Sequence, residues 1–146
     1  MFERKFLSFN PQAGDFDLAG APIIVDGGDF EGVKIAAKSL SEDLEKVTGR
    51  NSEILYDLSN IHIEKAIILG SLERSRHLQR HTRSELNASE IEGKWESFAT
   101  GVVEKPLNGV DSALVLAGSD KRGTIFAAYT LSEQIGVSPY EIQALT

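Results

Sequence analysis

Ala113-Leu-Val-Leu-Ala-Gly-Ser-Asp-Lys-Arg-Gly-Thr-Ile-Phe-Ala-Ala-Tyr-Thr-Leu-Ser-Glu-Gln-Ile-Gly-Val-Ser-Pro139 is the stretch that decides the fold. Ala113 to Ala117 is apolar without alternation, the pattern of a strand covered on both faces. Gly118-Ser-Asp breaks that run. From Asp120 to Ile135 apolar residues return at three- and four-residue steps, which describes an amphipathic helix, and Gly136 stands where such a helix closes. Asp120 is placed to cap the helix, and Gly123 to let it pack close to the sheet.

Working back towards the N-terminus, the same alternation recurs. Ala21-Pro-Ile-Ile-Val-Asp26 is a short apolar run stopped by Gly27-Gly28, as a buried strand entering a turn would be. Asp29 is then the expected cap of a helix whose stripe is Val33, Ala36, Ala37, Leu40, Leu44 and Val47, closed by Gly49. Glu53 to Tyr56 and Ala66 to Gly70 read as strands, Ser71 to about His81 as a polar helix, and 82–94 as irregular. Trp95 to Glu104 reads as a strand, Pro106-Leu-Asn-Gly109 as a turn, and Lys5 to Phe9 as a short edge strand. Alternating strands and helices predict an α/β (α+β) sandwich, a mixed β-sheet with helices packed on it. Two βαβ units are expected, one through Ile23, Leu44 and Ile54 and one through Ile67, Leu78 and Phe98. Residues 1–146 read as a single α/β domain.

Composition narrows the function. With 41% hydrophobic and 25% charged residues, the 146-residue chain is ordinary for a soluble globular protein, and its length buries roughly two-thirds of the unfolded surface. A net charge of −7 argues against nucleic acid or an anionic membrane as partner. There is no cysteine, which removes disulfides, thiolate metal sites and a cysteine nucleophile. The N-terminal residues lack the apolar run of a signal peptide, and no stretch reaches the ~20 apolar residues of a membrane span. The expectation is a soluble chain, with localisation open between the cytoplasm and export after processing.

No catalytic constellation emerges from the motifs. Gly118-Ser-Asp-Lys-Arg-Gly-Thr124 has the glycine spacing of a phosphate loop, yet Thr124 and Ile125 stand where Lys and Ser or Thr are needed. A structural turn, or part of an inter-domain surface, is the better reading. Glu73, His77 and His81 have a spacing that could bind zinc on a helix, but Arg74, Arg76, Arg80 and Arg83 oppose a cation there. A solvated helix face with local ion pairs to Glu73 and Glu85 is favoured. Asp26 and Asp29, at the end of the first buried strand, are the best polar-site candidates, although capping of the following helix is the favoured reading for both. Asp120, Lys121 and Arg122 are the other weak candidates for substrate binding; no catalytic, metal or cofactor residue is assigned. Ser119 lacks a histidine partner. Trp95, Phe98, Tyr129 and Tyr140 are expected in the core rather than on a sugar-stacking platform. Asn87-Ala-Ser89 matches a glycosylation acceptor, relevant only to a secreted chain.

Three blocks carry a resemblance: Phe6-Leu-Ser-Phe9 with Leu18-Ala-Gly-Ala-Pro-Ile-Ile-Val-Asp26; Gly32-Val33 with Ala36-Ala-Lys-Ser-Leu40 and Asp43 through Val47-Thr-Gly49; and Gly93-Lys-Trp-Glu-Ser-Phe98, Gly109-Val-Asp111 and Leu116-Ala-Gly-Ser-Asp-Lys-Arg-Gly-Thr124 through Leu131-Ser-Glu-Gln-Ile-Gly-Val-Ser-Pro139. Over residues 4–139 the chain resembles the N-terminal α/β domain of glycoside hydrolase family 115, the xylan α-1,2-glucuronidases, and its fungal members in particular. In looser form the last block also resembles the domain preceding the barrel in hexosaminidases and other glucuronidases. The resemblance implies that a (β/α)₈ barrel of about 250 residues would follow. The sequence departs from the family at Tyr140-Glu-Ile-Gln-Ala-Leu-Thr146. Since the family's carboxylates belong to the barrel, none is carried over to a position here. What it implies is a non-catalytic accessory domain, truncated or stand-alone, that self-associates through the surface a barrel would cover. The alternative is a carbohydrate-binding (lectin-like) or protein-interaction module.

Overall fold

The computed structural model describes the backbone of residues 17–145 and the side chains of residues 17–136. The expected strand Lys5–Phe9 and the Tyr140 side chain lie outside these. The elements are β1 (Ile23–Val25), α1 (Glu31–Thr48), β2 (Ile54–Leu55), β3 (Ile63–Ser71), α2 (Arg80–Glu85), a single 3₁₀ turn (Ala88–Glu90), β4 (Phe98–Leu107), β5 (Val110–Gly118) and α3 (Lys121–Leu145). The strands form one mixed sheet in the order β2-β1-β3-β5-β4. Neighbours are parallel except β4, which runs antiparallel to β5 at the edge.

Parallel pairing explains the continuous apolar runs, because both faces of the central strands are covered. One face, bearing Ile23, Val25, Ile67, Leu69, Leu114 and Leu116, packs under α1 and α3. The opposite face, bearing Ile24, Ile68, Val115 and Ala117, packs under Leu72, Leu78, Leu86, Ala88 and Ile91 from the segment between β3 and β4. In α1, Val33, Ala36, Ala37, Leu40 and Leu44 are buried, as their spacing predicts. Each large side chain among them contributes about 1.5–3 kcal/mol by leaving water. Val47, at the end of the stripe, is instead 37% exposed, in the last turn of the helix before Gly49. Gly49 closes α1 in the left-handed conformation, φ 76°, its N–H donating to Glu45 O at 2.9 Å.

Several expectations are corrected. Ser71 ends β3, and no helix begins there; residues 72–79 are turn and α2 starts only at Arg80. The unit β3–α2–β4 is not a βαβ crossover, since β4 pairs antiparallel with β5 and does not touch β3. Pro106 lies inside β4 rather than in the turn, which shrinks to Asn108-Gly109. The register passes from Glu104↔Ser112 to Leu107↔Val110, so Lys105 and Pro106 together oppose Asp111. Proline's missing N–H costs nothing at such a bulge. Finally, α3 continues through Gly136 to Leu145, and Gly136 is not among the left-handed glycines.

Candidate functional site

The carboxyl ends of β1, β3 and β5 lie side by side, with Val25 in register with Leu69 and Ser71 with Gly118. From β1 the chain moves outward to β2, then returns past β1 to lay down β3. The gap between β1 and β3 is therefore the point where strand order reverses, the usual ligand crevice of an open α/β sheet. Asp26 and Asp29, on the loop from β1 to α1, stand at this gap.

Neither aspartate caps α1. The helix begins after Phe30 with no side-chain cap. Asp26, whose side chain is 0% exposed, accepts from Arg76 N at 2.7 Å, Arg76 Nε at 3.0 Å, Arg76 Nη2 at 3.0 Å and Gly28 N at 2.8 Å. Asp29 is also buried, and accepts from Ser71 N at 2.9 Å, Ser71 Oγ at 2.8 Å and Phe30 N at 2.8 Å. Both carboxylates thus tie the β1–α1 loop to the chain leaving β3. A two-pronged guanidinium contact of this kind is among the stronger polar interactions available to a protein. The Arg76 side-chain hydrogen bonds hold the Asp26 carboxyl well below the usual carboxylate range against the opposing effect of burial, helped by the main-chain N–H groups of Arg76 and Gly28. Reciprocally, hydrogen bonding to Asp26 raises Arg76, whose side chain is itself 82% exposed.

Two further arginines also engage this part of the chain. Arg83 donates through Nε to Leu78 O at 2.7 Å and through Nη2 to Leu72 O at 2.8 Å, pinning residues 72–79 from below. Arg74 lies 4.1 Å above the centre of the Phe30 ring, a cation–π contact. The expected solvated helix face with Glu73 and Glu85 is replaced by arginines that fasten a loop. His77 and His81 share no face: His77 Nε2 is 3.2 Å from Tyr56 O, and His81 Nε2 is 3.2 Å from Glu104 O. Among the described residues no group of three His, Asp or Glu is arranged to hold a metal ion.

At the end of β5, Asp120 does cap its helix. Its Oδ1 accepts from Gly123 N at 2.7 Å, while Oδ2 accepts from Glu96 N at 3.1 Å. Ser119 N donates to Ser97 O at 2.8 Å, and Ser119 Oγ accepts from Ser97 N at 3.1 Å. A side chain at position 123 would collide with the Ser97 carbonyl, so glycine alone permits this approach. Arg122 pairs with Glu96 at 3.0 Å on the surface, and Lys121 lies against Gly32 at the start of α1. Lys121 and Arg122 therefore join no hydrogen-bond network with Asp26 and Asp29.

The aromatic expectation divides. Phe98 is buried, its ring edge-on to Phe126 with centroids 6.0 Å apart. Trp95 is 85% exposed, and Phe126 and Tyr129 are about half exposed on α3. Asn87 is exposed in the left-handed conformation at the head of the 3₁₀ turn. No helix among the described residues is long and apolar enough to cross a membrane. Sequence reading did not find Arg76 as the partner of Asp26 or Ser71 as the partner of Asp29. The pairs are 50 and 42 residues apart, with no local signal linking them.

No protein-family model matches the chain, and no curated protein does. Among solved structures it is similar to a family GH115 4-O-methyl-α-glucuronidase described as specific for decorated arabinogalactans. The similarity has a TM-score of 0.58 and 28% identity over 84% of this chain. It spans 14% of the length of that enzyme. The chain is thus related to one domain-sized segment of a family GH115 α-glucuronidase.

Proposed function

We propose that this chain is a non-catalytic accessory domain of the family GH115 α-glucuronidase lineage, a scaffold layer beside which a separate sugar-cleaving domain would stand. The observation that carries the proposal is the state of the three aspartates that follow β1 and β5. Glycoside hydrolysis needs two carboxyl groups facing each other across an open cleft. Asp26, Asp29 and Asp120 instead have both oxygens engaged by N–H and O–H groups of the fold itself. The 14% share of the similar enzyme also supports a supporting segment rather than a whole catalytic unit. On this reading the lineage's polymer is a glucuronate-decorated plant polysaccharide, with xylan the narrower proposal and the fungal type narrower still. The purified chain is expected to release no sugar from glucuronoxylan and no nitrophenol from 4-nitrophenyl glucuronide. Clear turnover, abolished by substituting Asp26 or Asp29, would overturn the reading.

A second reading is favoured by the exposed rings of Trp95, just before β4, and of Phe126 and Tyr129 on α3, since solvent-facing aromatics are characteristic of association surfaces. On this reading the domain self-associates or holds a glycan there. Light scattering at high protein concentration and a glycan array separate the two; a monomer that retains no sugar excludes both.

A further inference from the structure

The whole connection between β4 and β5 is the two-residue turn Asn108-Gly109. Gly109 has φ 88°, and a side chain there would run into the Ile61 carbonyl, so the fold requires glycine at this position. Its own carbonyl accepts the Ile63 N–H at 2.7 Å, which starts the β3 ladder. Both turn residues are exposed, and within the described residues the Asn108 side chain takes no hydrogen bond. The fold thus forces the least hindered residue to follow a free, solvated carboxamide. Of the five asparagines in the sequence, Asn108 alone precedes glycine; Asn10, Asn51, Asn60 and Asn87 precede Pro11, Ser52, Ile61 and Ala88.

We propose that Asn108 is a site of spontaneous deamidation and isomerisation that converts this hairpin into a second, altered form of the protein. The Gly109 main-chain nitrogen attacks Asn108 Cγ, forming a ring C–N bond. The Cγ–NH₂ bond breaks and ammonia leaves, carrying away the proton lost by Gly109 N. Water then opens the cyclic imide at either carbonyl, giving aspartate or isoaspartate; no oxidant or reductant takes part. Either product adds a negative charge beside Asp111, which is held by His62 Nε2 at 3.0 Å. Isoaspartate also inserts a methylene into the main chain of a turn with no slack. The Gly109 carbonyl then moves off the Ile63 N–H, and the start of β3 loosens.

The test holds the purified, folded chain at mildly alkaline pH and physiological temperature and maps its peptides by mass spectrometry over time. The amide-to-acid mass increment is expected on the peptide carrying Asn108 and on none carrying the other asparagines. Isoaspartyl methyltransferase should label the same peptide, and hydrogen exchange at the Ile63 amide should accelerate in the aged sample. Asn108→Gln, checked for wild-type circular dichroism, should lose the increment and the label. Conversion at Asn51 or Asn87 at the same rate would overturn the proposal. So would an Asn108 that converts in urea but stays amidated in the folded chain, because the hairpin would then be protecting it.

Discussion

The two faces of the sheet are covered by different means. One lies under two long helices, α1 and α3, whose apolar stripes reach Ile67, Leu69, Leu114 and Leu116 directly. The other lies under a turn, a six-residue helix and a single 3₁₀ turn, held by side-chain hydrogen bonds as much as by apolar contact. Arg76, Arg83 and the Ser71–Asp29 pair fasten that cover at its start. The difference teaches that a periodic helix docks through many small contacts, whereas an irregular segment needs a few strong polar anchors to fix its path.

The largest test of this contrast is a pair of core truncations. Leu116→Ala, under the helices, is expected to cost about 4 kcal/mol, because rigid neighbours on all sides cannot collapse into the space. Leu86→Ala, under the loop cover, is expected to cost nearer to about 2 kcal/mol, since the cover can settle. Urea unfolding of both variants measures the difference; equal losses would mean that the two faces are equally rigid.

A smaller effect is expected from Arg76→Ala, which leaves Asp26 buried with only main-chain donors. The folded carboxyl of Asp26 sits below its ordinary value of 3.8, so its stabilising contribution is complete above that value and is lost as pH falls through the folded one. The variant's deficit should therefore be full at neutral pH and shrink as the solution is acidified below about pH 4. Urea midpoints measured from neutral to acidic pH check this. A deficit independent of pH would show that Arg76 acts through packing alone. The smallest effect is expected from Trp95→Ala, within about 0.5 kcal/mol because the ring is almost wholly in water. A larger loss in dilute solution would move Trp95 into a packed surface and break the second functional reading.

Much of the helix-covered face was legible in the residues themselves. The α1 stripe, the Gly49 cap, the buried run at Ala113–Ala117 and the Asp120 cap with its close-packed Gly123 all follow from patterns a few residues long. The loop-covered face was not legible. Its arginines and histidines have helical spacing between 73 and 83, yet contacts with Asp26 after β1 and Leu72 after β3 accompany a turn over 72–79, and the helix begins only at Arg80. The exposure of Trp95 was also hidden, because an aromatic residue carries no mark of which way its strand approach will face.

The sequence by itself determined the alternation of strands and helices, the buried stripe of α1 from Val33 to Leu44 and its close at Gly49, because these are set by steric and periodic rules acting within a few residues. Only the tertiary structure decided that Asp26 belongs to Arg76 and Asp29 to Ser71, and so that the carboxylates between the ends of β1 and β3 are engaged by the chain's own groups. Hydrogen bonds between residues some fifty apart depend on the sheet having first brought those segments together.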